Sequence, residues 1–371
     1  MREKENMSEI ISTFANKNLT HGFHETYNLN LIMLKRNSYI FKLAYLSGLM
    51  KNMGNGIIGI RSRNKHKRII LLCLSPFFIL YGFILKIYAR IRVAWKEHGS
   101  DYKYRFSVVV IAKNEGDYIE EWVAYYKVIG ADCIFLYDNE SSDGLKDKLQ
   151  KYIEEGFVIY NYIEGLGKQY EAYNDAIKRY GSLCKYMAFV DCDEFLMPSD
   201  PSDNVIDIIE HVFKRDKSVG ALGINWYMFG SSGQTKKTDG LVMERFVERA
   251  VFDSVRNKIV KSIVNPRCVK EINHPHYPVL YKGYYTVGID GALACGPYHE
   301  IYQEVALRVN HYYTKSREEW DKRRSLNEVM DGSPKKHIPF ETVDDNDVRD
   351  ETALYYVNQV KAVMTQYRNI E

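Results

Sequence analysis

Between residues 106 and 195 short apolar runs alternate with amphipathic stretches, and that alternation restricts the architecture more than any other feature. Phe106-Ser-Val-Val-Val-Ile-Ala112 is apolar and β-branched almost throughout, the mark of a strand buried on both faces. Past Lys113-Asn114-Glu115-Gly116, the residues Ile119, Trp122, Val123, Tyr126 and Ile129 recur at helical spacing, and Gly130 ends the helix. Cys133–Tyr137 predicts a second strand, closed by Asp138-Asn139-Glu140-Ser141-Ser142-Asp143-Gly144. Phe157–Tyr160 predicts a third, and Tyr186–Val190 a fourth that ends in Asp191-Cys192-Asp193-Glu194-Phe195. Of the helices between them, one carries Leu145, Leu149 and Ile153 on one face, the other Tyr170, Tyr173, Ala176, Ile177 and Tyr180. Strands separated by helices of about 10–15 residues imply right-handed crossovers and parallel pairing. The expected class is therefore α/β, a mostly parallel sheet flanked by helices, with strands near 106–112, 133–137, 157–161 and 186–191. Ligands of such sheets bind at the carboxyl ends of the strands. The polar clusters at 113–115, 138–143 and 191–194 all fall there.

The first hundred residues are a different kind of chain. Residues 1–68 are rich in Asn, Lys and Arg without sustained periodicity, and end in the basic run Arg61–Arg68. Ile69–Leu85 follows, without a charge, and Lys86, Arg90, Arg92 and Lys96 close it. A spanning helix needs about 20 largely apolar residues, so this run sits at the lower limit. With basic residues at both ends, an in-plane helix would place both flanks on one anionic surface. Residues 69–100 are thus expected to be a membrane-associated helix, over 69–88, and a linker. A catalytic domain should occupy 105–330, and a C-terminal helical extension 331–371. Fifty-one basic against 48 acidic residues argue against a nucleic-acid binder, and six cysteines without a CxxC pair argue against a disulfide framework.

No GxGxxG follows the first strand and no GxxxxGK[ST] occurs anywhere, so dinucleotide and P-loop readings fail. What the strand ends offer is carboxylate. Read as continuous strand, Asp191 and Asp193 share one side while Cys192 faces the packed side. Two hard oxygen donors on one edge suit Mg²⁺ or Mn²⁺ holding phosphate oxygens. A DxD triplet alone is weak, and Asp345-Asn346-Asp347 is a second copy in a loop-like stretch. Position at a buried strand end is what singles out the first. His274-Pro-His276, with His299, invites zinc, but the spacing matches no helical or ribbon zinc site.

Val110-Ile-Ala-Lys-Asn-Glu115, Glu121-Trp-Val-Ala-Tyr-Tyr126, Tyr137-Asp-Asn-Glu-Ser-Ser-Asp143 and Val190-Asp-Cys-Asp-Glu-Phe195 together resemble the nucleotide-sugar half of inverting glycosyltransferases of the family 2-like and family 92-like group. Trp226-Tyr-Met-Phe-Gly-Ser-Ser-Gly233 and Asn310-His-Tyr-Tyr-Thr-Lys-Ser-Arg-Glu-Glu-Trp320 resemble later motifs of that group, so the likeness covers about residues 105–330. It departs where an arginine-glycine pair should follow the last motif and Arg323-Arg324-Ser325 stands instead.

The resemblance implies a glycosyltransferase A-type fold with a DxD metal site. It further implies metal-dependent, inverting transfer of a sugar from a nucleotide-sugar donor to a glycan, lipid-linked or other hydroxyl acceptor, in polysaccharide or glycoconjugate synthesis. Asp193 would be the direct metal ligand, Asp191 would meet metal, ribose or both, and His311 would be the third ligand. Lys168 and Lys315 would face the diphosphate. Lys113, Asn114 and Glu115 would meet base or ribose, and Asp138 and Asn139 the base edge. Glu244 is the expected catalytic base, with Asp239 and Glu248 as its alternatives, and Trp226 would stack on an acceptor sugar. Asn139-Glu140-Ser141 is also a glycosylation acceptor pattern; a glycan there would block the donor pocket, which favours a membrane-associated protein with its catalytic part on the cytoplasmic side. The competing classes are a sugar-phosphate nucleotidyltransferase, which needs a glycine-rich loop that Ala112–Glu115 does not supply, and a catalytically silent membrane-attached binding protein, which would not need the metal triad.

Overall fold

A computed structural model describes residues 51–53, 56–58, 65–97, 101–301, 303–325 and 338–368. Helix α1 runs from Lys65 to Glu97. The alternating pattern then appears as read: β1 (Tyr104–Ala112), α2 (Ile119–Val128), β2 (Cys133–Asp138), two short helical segments at Leu145–Lys148 and Gln150–Glu154, β3 (Val158–Tyr162), α3 (Gln169–Tyr180) and β4 (Cys184–Phe189). β2 lies between β1 and β3, and β4 pairs with the other edge of β1, all in parallel. Val108, Val109 and Val110 are fully buried, because α2 and α3 cover opposite faces of β1.

The second half of the sheet is mixed. It comprises β5 (Glu194–Pro198), β6 (Val219–Met228), β7 (Val260–Val264), β8 (Tyr285–Gly288) and β9 (Leu307–His311), with α4 (Val205–Arg215), α5 (Arg317–Arg324) and α6 (Leu354–Arg368) packed around it. The order across the sheet is β3-β2-β1-β4-β7-β6-β9-β5, with β8 also on β6. β7 runs antiparallel between β4 and β6, and β9 antiparallel to β5. So the expected mostly parallel sheet holds for the first four strands and gives way beyond β4 to mixed pairing, in which β9 and β8 each run parallel to β6.

Caps define the later helices. Asn204 accepts from the N–H groups of Ile206 and Asp207 to open α4, and Ser316 with Glu319 forms a capping box on α5. α6, within the stretch expected as a C-terminal helical extension, packs on α2: Tyr356 meets Tyr125 edge-on, and Arg368 grips Glu120.

The apolar run from residue 69 lies in α1, but among the described residues no helix is long and apolar enough to cross a membrane. The single helix expected over 69–88 is therefore present as part of α1, but its crossing of a membrane is not supported. Instead α1 lies on the folded domain through Gly82, Lys86, Ala89 and Val93. Lys86 Nζ reaches Asp216 Oδ2 at 2.5 Å, the Tyr284 hydroxyl donates to the Ala89 carbonyl at 2.5 Å, and Arg92 donates to the Arg267 carbonyl at 3.1 Å. Gly283 makes the close approach possible. Its φ is +92°, and a Cβ there would sit 2.4 Å from the Leu85 carbonyl oxygen and 2.7 Å from Ala89 Cβ. Gly283→Ala should therefore lift α1 from the domain, seen as faster amide exchange over residues 82–93 while β1–β4 stay protected. Unchanged protection of that stretch would refute the docking.

Candidate active site

The carboxylate triplet does not sit on a strand. β4 ends at Phe189, and Asp191–Asp193 form a turn, with the Glu194 N–H donating to the Asp191 carbonyl at 3.1 Å. That turn carries the chain across the sheet to β5. Side chains two apart in a turn need not share a face, and these two diverge. Asp191 Oδ2 accepts from Lys261 Nζ at 2.8 Å, and its Oδ1 accepts from Gln169 at 3.1 Å. Asp193 faces the other way. Its Oδ1 is 3.4 Å from His311 Nε2, and its Oδ2 accepts from Arg323 Nη1 at 3.0 Å.

Strand pairing brings His311 there. In the antiparallel ladder of β5 and β9, His311 stands opposite Glu194, so the two side chains share a face. His311 Nδ1 and Glu194 Oε1 lie 4.0 Å apart, both buried and both without a hydrogen-bond partner. Trp226 packs against His311 with ring centres 4.4 Å apart, and its indole N–H also lacks a partner.

Charge is dense here and mutually compensated. Burial raises the Asp193 carboxyl, but His311 and Arg323 outweigh it and hold the group well below the ordinary carboxylate range. Burial pushes the Glu194 carboxyl up, against the pull of Lys261. Burial would strip Lys261 of its proton, yet Asp191 and Glu194 prevail and raise its pKa. Glu115, at the end of β1, is raised by burial and drawn down by Lys315 and Arg323. Lys315, itself buried, lies over the Tyr118 ring at 4.5 Å.

Donor atoms of Asp193 and His311 that are 3.4 Å apart can both lie about 2 Å from one divalent ion, the ordinary ligand distance. Among the described residues, however, no group of three His, Cys, Asp or Glu side chains is arranged to hold a metal. The expected trio thus reduces to a pair, because Asp191 is committed to Lys261. His274, His276 and His299 do not converge either: His276 bonds the Val260 carbonyl, and His299 bonds Asp290.

Several residues expected to touch the donor also fix the loops at the strand ends. Asn114, with φ of 55°, accepts from the Ser142 N–H at 2.8 Å, and its own N–H donates to the Ser141 hydroxyl at 2.9 Å. The loops after β1 and β2 are locked together by these bonds. Asn139 is fully buried and its amide donates to the Ile163 and Gly165 carbonyls, while its amide oxygen has no partner. Asp138 accepts from Tyr160 at 2.5 Å and from the Ser141 N–H at 2.9 Å. Lys113 pairs with Glu140 at 3.4 Å, and Lys168 with Glu171 at 2.5 Å on the surface of α3.

Glu244 is likewise engaged. Its Oε2 caps the Leu241 N–H at 3.0 Å, and its Oε1 pairs with Lys361 of α6 at 2.6 Å. These two bonds tie its carboxylate to the junction with α6. Turnover of Glu244→Gln should stay within about threefold of the parent, against the hundredfold or more that losing a general base costs. A drop of the larger size would restore the base assignment.

Two members of the cluster escaped the sequence reading. Lys261 was visible as the one cation inside Val260-Lys-Ser-Ile-Val264, a buried strand where an unpaired charge is untenable. Arg323 stood at the place where the resemblance departs, and only its bond to Asp193 shows its target.

Residues 108–351 match the sequence profile of glycosyltransferase family 92. A family 92 protein of Ricinus communis is 26% identical over 212 residues, 56% of this chain and 35% of its own length. One from Oryza sativa subsp. japonica is 24% identical over 184 residues, 49% of this chain and 31% of its own length. The chain thus spans about a third of these relatives. Among solved structures, S. aureus TarS in complex with UDP overlaps 45% of this chain and 48% of its own, at 18% identity and a TM-score of 0.31.

Proposed function

The chain belongs to glycosyltransferase family 92, and from that premise we propose that it transfers a sugar from a nucleotide-sugar donor to a hydroxyl acceptor, with inversion. The observation that carries this reading is the meeting of Asp193, His311 and Arg323 at one point beside the ends of β1 and β4. A nucleoside diphosphate leaving an anomeric carbon gathers negative charge, and cations fixed beforehand stabilise it without reorganisation. Arg323 and Lys315 are placed to do so.

Asp193 Oδ1 and His311 Nε2 would hold a Mn²⁺ or Mg²⁺ ion, which supplies Lewis-acid neutralisation of the diphosphate when bound. His311 would then keep its proton on Nδ1, aimed at Glu194 Oε1. A carboxylate behind a ligating histidine fixes the ring and raises its basicity. Glu194→Gln should accordingly weaken Mn²⁺ binding by about 10–100-fold in a calorimetric titration; parent-like affinity would remove Glu194 from this role. Trp226, packed on the His311 ring and only partly buried, would present the exposed part of its ring to the acceptor sugar. Asn114 and Asp138 act on the donor through the loops they fix.

The test is direct. Purified protein with Mn²⁺ should release a nucleoside diphosphate from at least one member of a panel of UDP-, GDP- and TDP-sugars, slowly to water and faster with a glycan or lipid-linked acceptor. Absence of release from every donor, with binding intact, would favour a silent nucleotide-sugar binder.

A further inference from the structure

We propose that the outward face of α1 is a lipid-binding surface that lays the protein on an anionic membrane, with the catalytic cluster at the opposite end of the sheet. The inward contacts recur at residues 82, 86, 89 and 93, a single stripe of an α-helix. Phe77, Leu80, Ile84, Ile87, Ile91 and Trp95 recur on the far side, half a turn round, and Tyr81 and Tyr88 flank them. Trp95 is 85% exposed, Phe77 69% and Ile91 64%. A contiguous apolar face of this kind marks an interaction site on a soluble domain.

The helix cannot roll to hide it. Lys86 is buried against Asp216, which also accepts from the Tyr285 hydroxyl, and Arg92 is held by the Arg267 carbonyl and stacked on Tyr281 at 3.8 Å. Turning the apolar face inward would strand these cations.

Charge decides the occupant. Besides the docked Lys86 and Arg92, the sequence from Lys65 to Lys96 has five Lys and Arg and no Asp or Glu, with a single Glu97 just beyond. A second copy would set these cations against their own kind, whereas an anionic lipid surface complements them. Tyrosine and tryptophan beside aliphatic residues suit the boundary between headgroups and acyl chains. No helix here needs to cross the bilayer.

The docking contacts also fix orientation. Asp216 precedes β6, Tyr285 opens β8, and Arg267 holds the Cys184 and Lys185 carbonyls at the start of β4. Trp226, beside His311, lies seven residues further along β6, roughly 23 Å at 3.3 Å per residue. The membrane-facing and sugar-facing ends are therefore separate, which favours an acceptor that reaches out from the bilayer or arrives in solution.

The test is sedimentation of the full chain with vesicles of equal parts phosphatidylglycerol and phosphatidylcholine, and with phosphatidylcholine alone. The parent should sediment with the anionic vesicles and much less with the neutral ones. Ile84→Glu combined with Ile91→Glu should weaken partition by about tenfold or more, with thermal midpoint and donor hydrolysis unchanged. Three results would overturn the proposal: a parent that ignores vesicles, a double variant that sediments like the parent, or a stable dimer in solution that the same two substitutions abolish.

Discussion

Asp193→Asn should reduce sugar transfer by about a hundred- to a thousandfold, the effect of removing a fixed charge from the point where charge develops. The substitution keeps shape and volume. What it removes is the negative charge facing His311 Nε2 and Arg323 Nη1, and with it one of the two donor atoms that this pair offers an ion. Arg323 is about one-third exposed and can turn to water when its partner is lost. The thermal midpoint should thus move little, and Mn²⁺ affinity should fall in parallel with activity. A variant that binds Mn²⁺ like the parent would place the metal elsewhere. A variant that transfers sugar at the parent rate would end the assignment of this cluster as the active site.

Lys261→Met should show the largest loss of stability of any substitution in the cluster. The ammonium is 1% exposed and lies 2.8 Å from Asp191 and 3.4 Å from Glu194, itself fully buried. Methionine fills the volume and leaves two carboxylates without their counter-ion. Breaking a buried pair in this manner costs about 3–5 kcal/mol, to be read from the urea midpoint. Adding Asp191→Asn to the same chain should recover part of the loss, since it removes one of the stranded charges. A single variant within about 1 kcal/mol of the parent would show that Lys261 is not the keystone of the charge network.

The parallel half of the fold was legible because each element announces itself locally. Val108-Val109-Val110 can be satisfied only by burial on both faces, and the helical stripe from Ile119 to Ile129 requires a sheet to lie against. The mixed half was not legible, since β7 enters between β4 and β6 some 70 residues after β4 and β9 reaches β5 from over 100. No local pattern encodes such partners. The misreading of Asp191 and Asp193 as neighbours on one strand has the same root. Only the departure of the chain towards β5 turns Asp191 to Lys261 and Asp193 to His311. His311 was found through resemblance, not through any periodicity. Asn114, Asp138 and Asn139 stand at strand ends as expected, and there they hold loops: Asp138 and Asn139 are buried and must bond nearby backbone, while the exposed Asn114 accepts from the Ser142 N–H.

The insertion of β7 beside β4 also sets a timetable for synthesis. When the ribosome has released β4, the four parallel strands can already pair, but one edge of the growing sheet stays open until about 70 more residues have emerged, roughly 4–14 s at ordinary elongation rates. Throughout that interval Cys184-Lys-Tyr-Met-Ala-Phe189 offers an unpaired, mostly apolar strand to any other nascent chain. Lys185 is the single charge along it. The interval closes only when Val260–Val264 arrives and Lys261 meets Asp191, so the residue that completes the edge also delivers the counter-ion to the turn. Chains stalled between those two points are the ones that chaperones would have to guard.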